Sequence, residues 1–301
     1  MTAFVVAHRH EFGLEPICRE LQVAPTAVRS ALARPISARD LADEALKPKI
    51  AQIFEDNYRV YGRRKIKAAL AREFGLVVDR DRIGRLMADL GIRGMRRGRQ
   101  PFTTKPDKTA PRAPDLVKRA FVADRPDQLW VSDFTYVSTW SGFVYVAFIV
   151  DVYARMVVGW RVSTTMTTDL VMDALEQAVW TRRRPLQGLV AHSDAGSQYV
   201  AIRYTERLAE IGARPSIGTV GDSYDNALAE SFNGLYKNEL IKPQGPWRNA
   251  DHVELATLTY IEWFNNRRLH SEIGNVPPAE AEANYYHHHR PDPTVPAPTR
   301  T

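Results

Sequence analysis

The sequence predicts an α/β protein: a mixed five-stranded sheet flanked by helices, preceded by an all-α basic module. Three observations predict it. Three strand-like segments follow one another from residue 129, and strand patterns then alternate with amphipathic helices, as in a mixed sheet covered on both faces. Residues 46–91 instead carry helical periodicity throughout. Charge is also divided unevenly. The 301 residues carry a net +6, but residues 46–100 hold 15 Lys and Arg against 6 Asp and Glu, so they carry +9 and the remainder −3. A polyanion-binding module is thereby joined to a nearly neutral body.

Residues 1–45 predict two short helices, over 15–21 and 27–33, and a linker in ARPISARD. In the basic module, Ile50, Ile53 and Phe54 mark a first helix. YGRRKIKAALAREFG is the second, with Ile66, Ala69, Leu70 and Phe74 on one face and Gly75 as the residue that ends it. DRDRIGRLMADLG is the third, with Asp79 as N-cap and Ile83, Leu86, Met87 and Leu90 as its core face. Helix, short turn and basic helix fit a helix-turn-helix or a plain three-helix bundle. Residues 101–120 read as a linker, because Pro101, Pro106, Pro111 and Pro114 interrupt any helix. Its approach, IRGMRRGRQ, contains Arg96 and Arg97 and suits phosphate contacts.

Residues 121–286 carry the sheet. Strands are expected at 129–137, 143–151 and 155–162, the first two joined by a hairpin turn at 140–142. A helix at 169–181, a strand at 188–191, a helix at 204–211 and a strand at 214–217 follow. The stretch GDSYDNALAESFNGLYKNEL (221–240) then reads as a turn and a helix. Asp225 or Asn226 can cap it. Ala227, Leu228, Ser231, Phe232, Leu235 and Tyr236 form its stripe, while Glu230 and Lys237, nearly two turns apart, project together from another face. Glu239 is expected to point elsewhere and to be dispensable for any chemistry. Further helices are expected over 253–266 and from Pro277 to Tyr286, with residues 287–301 as a disordered tail.

Two more carboxylates occupy costly settings. Asp133 lies inside the buried-strand run LWVSDFTYV, and Asp194 follows GLVA at a strand's C-terminal end. A charge there needs a partner or a metal. Between Asp194 and Glu230 lie 35 residues. The patterns W-x-x-D-x-T-Y, H-S-D-x-G-S-Q-Y and D-N-A-x-x-E-S-F-x-x-x-x-K resemble the DDE integrase core shared by insertion-sequence transposases and retroviral integrases. The chain is most similar to the second-reading-frame (OrfB-type) transposases, over about residues 46–285.

The resemblance implies a ribonuclease-H-like fold for the core and a DNA-binding helix-turn-helix before it. It implies Asp133, Asp194 and Glu230 as catalytic residues and metal ligands, Asp133 bridging two ions. An all-carboxylate donor set suits Mg²⁺ or Mn²⁺ rather than zinc. DNA contacts are expected from Arg80, Arg82 and Arg85 on the third basic helix, from Lys237, and from Arg267 and Arg268, which equally well only end a helix. His192 either supports the site or is a satisfied core histidine. Asn226 either positions its helix or touches substrate. The implied activity is DNA cleavage and strand transfer of an insertion sequence. A nuclease that only hydrolyses and a non-catalytic DNA-binding regulator are the alternatives. Implied partners are element-end and target DNA, the upstream-frame (OrfA-type) product, whose heptad zipper is not seen here, and further copies of the chain.

Composition narrows the setting. No run of 18 apolar residues suggests a membrane span. The N-terminus lacks the pattern of a signal peptide. Cys18 is the one cysteine, which fits a reducing cytoplasm and a buried small hydrophobe rather than a reactive thiol; the resemblance implies that the cytoplasm is bacterial and the location nucleoid-associated. His287, His288 and His289 are adjacent and lack the spacing of a zinc site.

Overall fold

The computed structural model describes residues 2–33, 37–95, 117, 121–194, 198–199, 201–217 and 227–289. Arg96, Arg97, Asn226, nearly all of the 101–120 linker and the tail beyond His289 lie outside the described residues. The chain forms two compact units, Met1–Gln52 and Ile53–Thr301. No helix among the described residues is long and apolar enough to cross a membrane.

The first unit contains α1 (Thr2–Phe12), α2 (Leu14–Glu20), α3 (Pro25–Ala33) and most of α4 (Ala38–Asp56). Val5, Ile17, Cys18 and Val28 are its buried centre, so Cys18 acts as a core residue. The first of these helices was not expected, and α4 starts eight residues before the module inferred from charge, inside the expected linker.

In the second unit, α5 (Arg63–Phe74) and α6 (Arg80–Asp89) pack together. Their ends follow local chemistry. Gly75 closes α5 with φ 65, a left-handed conformation that a side chain would strain. Asp79 caps α6 by accepting from Asp81 N at 2.7 Å and Arg82 N at 3.3 Å.

The sheet has the order β3-β2-β1-β4-β5. Its strands are β1 (Leu129–Thr139), β2 (Gly142–Asp151), β3 (Val157–Ser163), β4 (Val190–Ser193) and β5 (Arg214–Ile217). Strands β1, β2 and β3 are antiparallel neighbours, whereas β1, β4 and β5 run parallel. This is the mixed arrangement expected for a ribonuclease-H-like core. On one face, α7 (Thr168–Arg182) and α8 (Ile202–Glu210) close over Trp130, Ile149, Val158, Leu170, Leu175 and Leu208. Helix α7 lies so close to β3 that a Cβ on Gly159 would stand 2.2 Å from the Ala174 carbonyl oxygen.

The other face is covered by α9 (Ala227–Tyr236) and α11 (Ala250–Asn266), between which a π-helical turn, Lys237–Ile241, leads into the short α10 (Lys242–Gln244). Here Phe148 meets Phe232 at 4.8 Å and Tyr236 at 4.9 Å, and Phe232 meets Phe264 at 5.0 Å. Within this unit, α11 and the chain after it hold the part of the basic module that includes Asn57, Tyr61 and Arg72. Trp263 Nε1 donates to Asn57 Oδ1 at 3.1 Å, and Leu269 N donates to the Tyr61 hydroxyl at 2.7 Å. Arg72 pairs with Glu280 on α12 (Pro278–His288).

Several boundaries shift by one to three residues from expectation, and two of the differences matter most. Strand β4 is displaced by two residues because Gly188 adopts φ 81 and turns the chain before the strand begins. Helix α12 continues through His287 and His288, which had been assigned to a disordered tail. Stacking of Tyr285 on His289, with centroids 4.1 Å apart, extends order to its end. A buried ion-pair network anchors α12 as well. Arg182 and Arg184 both reach Asp127 at 2.8 Å, and both reach Glu282, at 2.5 Å and 2.7 Å.

Candidate active site

The parallel ladder between β1 and β4 ends at the pair Ser132↔Ser193. Asp133 and Asp194 are the next residues on the two strands, so they leave the ladder side by side, roughly one strand spacing of ~4.8 Å apart at the backbone. Because β4 runs on to Ser193, Asp194 falls in this row.

Helix α9 supplies the third side. Asn233 Nδ2 donates to Asp133 Oδ2 at 2.8 Å, and Asp133 Oδ1 accepts from Phe134 N at 2.8 Å. Glu230 stands three residues before Asn233, on the same side of the helix, and is exposed. Asn233 Oδ1 is buried and accepts no hydrogen bond from the described protein, and neither does the buried Tyr199 hydroxyl.

The electrostatics tie these groups together. Burial and then the charge of Asp194 push the half-buried Asp133 carboxyl up to about 8, and Glu230 adds to the rise against the Phe134 and Asn233 donors. Burial and then Asp194 also raise Glu230. Tyr199 is raised well above its usual range by burial, Asp133 and Asp194 in that order. Burial lowers Lys237, and Asp133 opposes that effect. Asp194 thus disfavours ionisation of both Asp133 and Glu230, and Glu230 disfavours that of Asp133, an arrangement that a bound cation reverses. The three share an electrostatic environment, but among the described residues no three His, Cys, Asp or Glu converge into a ready-made metal cluster.

Lys237 is half-buried, with Nζ 4.7 Å from the centroid of the Tyr136 ring. His192 is buried in β4, with Nδ1 2.9 Å from Ser216 Oγ and its ring edge-on to Phe121, so its setting is that of a satisfied core histidine. Arg80 and Arg85 are exposed on α6, Arg82 is half-buried there, and Arg267 is exposed just after α11.

Arg268 and Glu239 depart from expectation. Instead of facing DNA, Arg268 is only 5% exposed. It grips Glu239 through NH2 to Oε1 at 2.6 Å and Nε to Oε2 at 2.9 Å, and the Tyr260 hydroxyl donates to the same Oε2 at 2.9 Å. Glu239 is therefore a buried structural acid, 4% exposed, and no neutral control for the site.

Asn233 and Tyr199 were missed. The signal for Asn233 was its place one turn after Glu230. For Tyr199 it was only membership of H-S-D-x-G-S-Q-Y.

Residues 123–223 and 211–278 each match an integrase core domain, and residues 41–100 match an HTH-like domain. The chain is 52% identical over 283 residues to the transposase for insertion sequence element IS629 of Shigella sonnei, covering 92% of this chain and 94% of that protein. It is 49% identical over 186 residues to the transposase for insertion sequence element IS3411 of Escherichia coli, covering 60% of this chain and 77% of the relative. Among solved structures, the HTLV-2 integrase catalytic core domain in complex with magnesium covers 53% of this chain and 98% of its own, with 17% identity and a TM-score of 0.41.

Proposed function

The chain belongs to the insertion-sequence transposases that carry an integrase core domain, and from that premise we propose that it cleaves and joins DNA strands through Asp133, Asp194 and Glu230. The observation that carries this reading is the meeting of Asp133 and Asp194 at the end of the β1–β4 ladder, with α9 tied to Asp133 through Asn233.

The residues fit divalent cations on two grounds. The donor set is three carboxylates whose mutual repulsion a cation would relieve, and the buried Asn233 Oδ1 lacks a donor. Asp133 would be shared between two Mg²⁺ or Mn²⁺ ions, with Asp194 and Glu230 each holding one. Bound there, the ions would activate the attacking oxygen and neutralise charge on the leaving one.

The protein's own groups do the rest. Asp133, fixed by Asn233 and the Phe134 amide, presents one orientation and loses little freedom on binding. Lys237 places a positive charge beside the carboxylates, suited to a phosphate oxygen of the scissile strand. In cleavage, a water oxygen bonds to phosphorus, the P–O3′ bond breaks, and a 3′-hydroxyl is released. In joining, that 3′-hydroxyl attacks a target phosphate and displaces the target's own 3′ oxygen. Both displacements run in line through one site. The exposed arginines of α6 and Arg267 supply non-specific phosphate contacts, and affinity should fall steeply with salt. The upstream-frame product and further copies of the chain complete the reaction assembly.

Glu230→Gln, with the upstream-frame product supplied, tests the reading. It keeps side-chain volume and helix preference. We expect loss of both 3′-end release and joining, with circular dichroism and duplex binding unchanged. Wild-type protein in excess chelator should be equally inactive. End-joining by the variant at the wild-type rate refutes the assignment. Hydrolysis without joining would favour the nuclease, and binding with neither reaction in the wild type would favour the regulator.

A further inference from the structure

The tip of the β1–β2 hairpin carries three large aromatic side chains in the open: Tyr136 is 50% exposed, Trp140 72% and Phe143 58%. Water-facing aromatics of this size at adjacent places ordinarily mark a binding surface. Tyr136 and Phe143 meet edge-to-face at 5.6 Å. Lys237 Nζ sits over the Tyr136 ring at 4.7 Å, and Arg248 is exposed at the same tip.

The tip is braced. Trp140 N donates to Trp247 O at 2.9 Å, and Ser141 donates to Arg248 O through its amide at 3.2 Å and its hydroxyl at 3.1 Å. Trp247 is itself buried, and its indole donates to Ile241 O at 2.9 Å, at the end of the π-helical turn that follows α9. These hydrogen bonds therefore connect the hairpin tip to the turn that directly follows the helix carrying Glu230 and Asn233. Along β1, Tyr136 lies three residues, or about 10 Å, beyond Asp133 and so projects from the opposite face of the strand, with Lys237 at the open β1 edge between them. The charge of Asp133 also reaches Lys237.

We propose that Tyr136, Trp140 and Phe143, with Lys237 and Arg248, form a stacking platform for the unpaired bases of single-stranded DNA next to the scissile phosphate. The occupant follows from the chemistry. Aromatic faces accept any base, and the interleaved cations match a phosphate backbone, the combination that single-strand binding surfaces use. Asn233 touches Asp133, and Lys237, four residues further along the chain, touches Tyr136, so one segment borders both the carboxylates and the platform and sets the platform within reach of a strand leaving the site. The proposal rests on the catalytic reading for its location but not for its binding chemistry.

The test uses the full chain in chelator, so that no chemistry occurs. Affinity for an oligothymidylate strand of about 15 nucleotides and for a blunt duplex of equal length is measured by fluorescence anisotropy at one salt concentration. Trp140→Ala with Phe143→Ala should weaken single-strand binding at least about tenfold and change duplex binding less than about twofold. Both residues are exposed, so the fold should survive, and circular dichroism checks it. Trp140→Phe with Phe143→Tyr should restore single-strand binding. Unchanged single-strand affinity, or equal loss on both probes, overturns the platform. A drop in oligomeric state in sedimentation with single-strand affinity intact also overturns it and makes the tip a protein interface. If Glu230→Gln joins ends normally while the alanine pair loses the single strand, the catalytic reading alone fails. If Glu230→Gln is inactive while the alanine pair binds like wild type, this proposal alone fails.

Discussion

Replacing Glu239 by Gln should unfold much of the second unit's stability without touching a catalytic group. The carboxylate is 4% exposed and Arg268 5%, so neither charge is relieved by water. Arg268 makes two bonds to it, at 2.6 Å and 2.9 Å, and Tyr260 a third at 2.9 Å. A Gln keeps the volume but turns one acceptor into an NH₂ group facing a guanidinium that can only donate. It also leaves Arg268 buried without its counter-charge, beside a neutral His270. Removing one member of such a pair costs about 3–5 kcal/mol. Against a total of about 5–15 kcal/mol for a native protein, that is a large share. With a urea slope of about 3 kcal/mol per M, the unfolding midpoint should fall by about 1–1.7 M. Circular dichroism in a urea titration measures it. The double variant Glu239→Leu with Arg268→Met should recover most of the loss, because the uncompensated charge goes with its partner. A Glu239→Gln midpoint within about 0.3 M of wild type would refute the reasoning, since it would mean that the pair is solvated or replaceable.

Two further outcomes follow from packing and burial. His270 is held down to about 2 by burial and then by Arg268, so the folded protein keeps it neutral while the unfolded chain protonates it near 6.5. Its contribution is therefore complete above pH 6.5 and lost as pH falls below that. Relative to His270→Gln, wild type should lose up to about 1.4 kcal/mol per pH unit between pH 6.5 and 5, and parallel stability curves would contradict this. At Gly159, a new Cβ would stand 2.2 Å from the Ala174 carbonyl oxygen and 2.9 Å from the Ala178 Cβ, so Gly159→Ala must push α7 off β3. A cost of about 1–3 kcal/mol and a Tm lower by several degrees are expected, and an unchanged Tm by calorimetry would show that the helix shifts freely.

What the sequence made legible was whatever local pattern determines. Periodicity and caps located α5, α6 and the order of strands, because Gly75 and Asp79 act on their own helix ends. Asp133 stood out because a charge inside LWVSDFTYV contradicts its surroundings. The misses are tertiary. Nothing local says that Glu239 and Arg268, 29 residues apart, bury each other. A basic residue after a helix reads the same whether it faces a polyanion or a buried acid. Asn233 carries no charge to mark it, and its role appears only when α9 lies against β1. Tyr136 and Phe143 read as ordinary strand formers, since β propensity does not distinguish a covered ring from an open one.

The short reach of β4 is what unites these features. From Ser132 back, β1 has a strand on each side; from Asp133 onward its ladder partner is β2 alone, until Thr139 bridges to Trp247. An open strand edge of this kind invites pairing with another chain unless something occupies it. Here Asn233 covers its start, Lys237 lies over Tyr136 farther along, and the Trp247–Arg248 segment closes its end. All three come from α9 or the chain just after it. The carboxylate row and the aromatic tip therefore border one stretch of the β1 edge lined by α9 and the chain after it, on opposite faces of the strand and at fixed separation. A DNA strand passing from chemistry at one end to stacking at the other would cross this edge beside Lys237, without any rearrangement of the sheet.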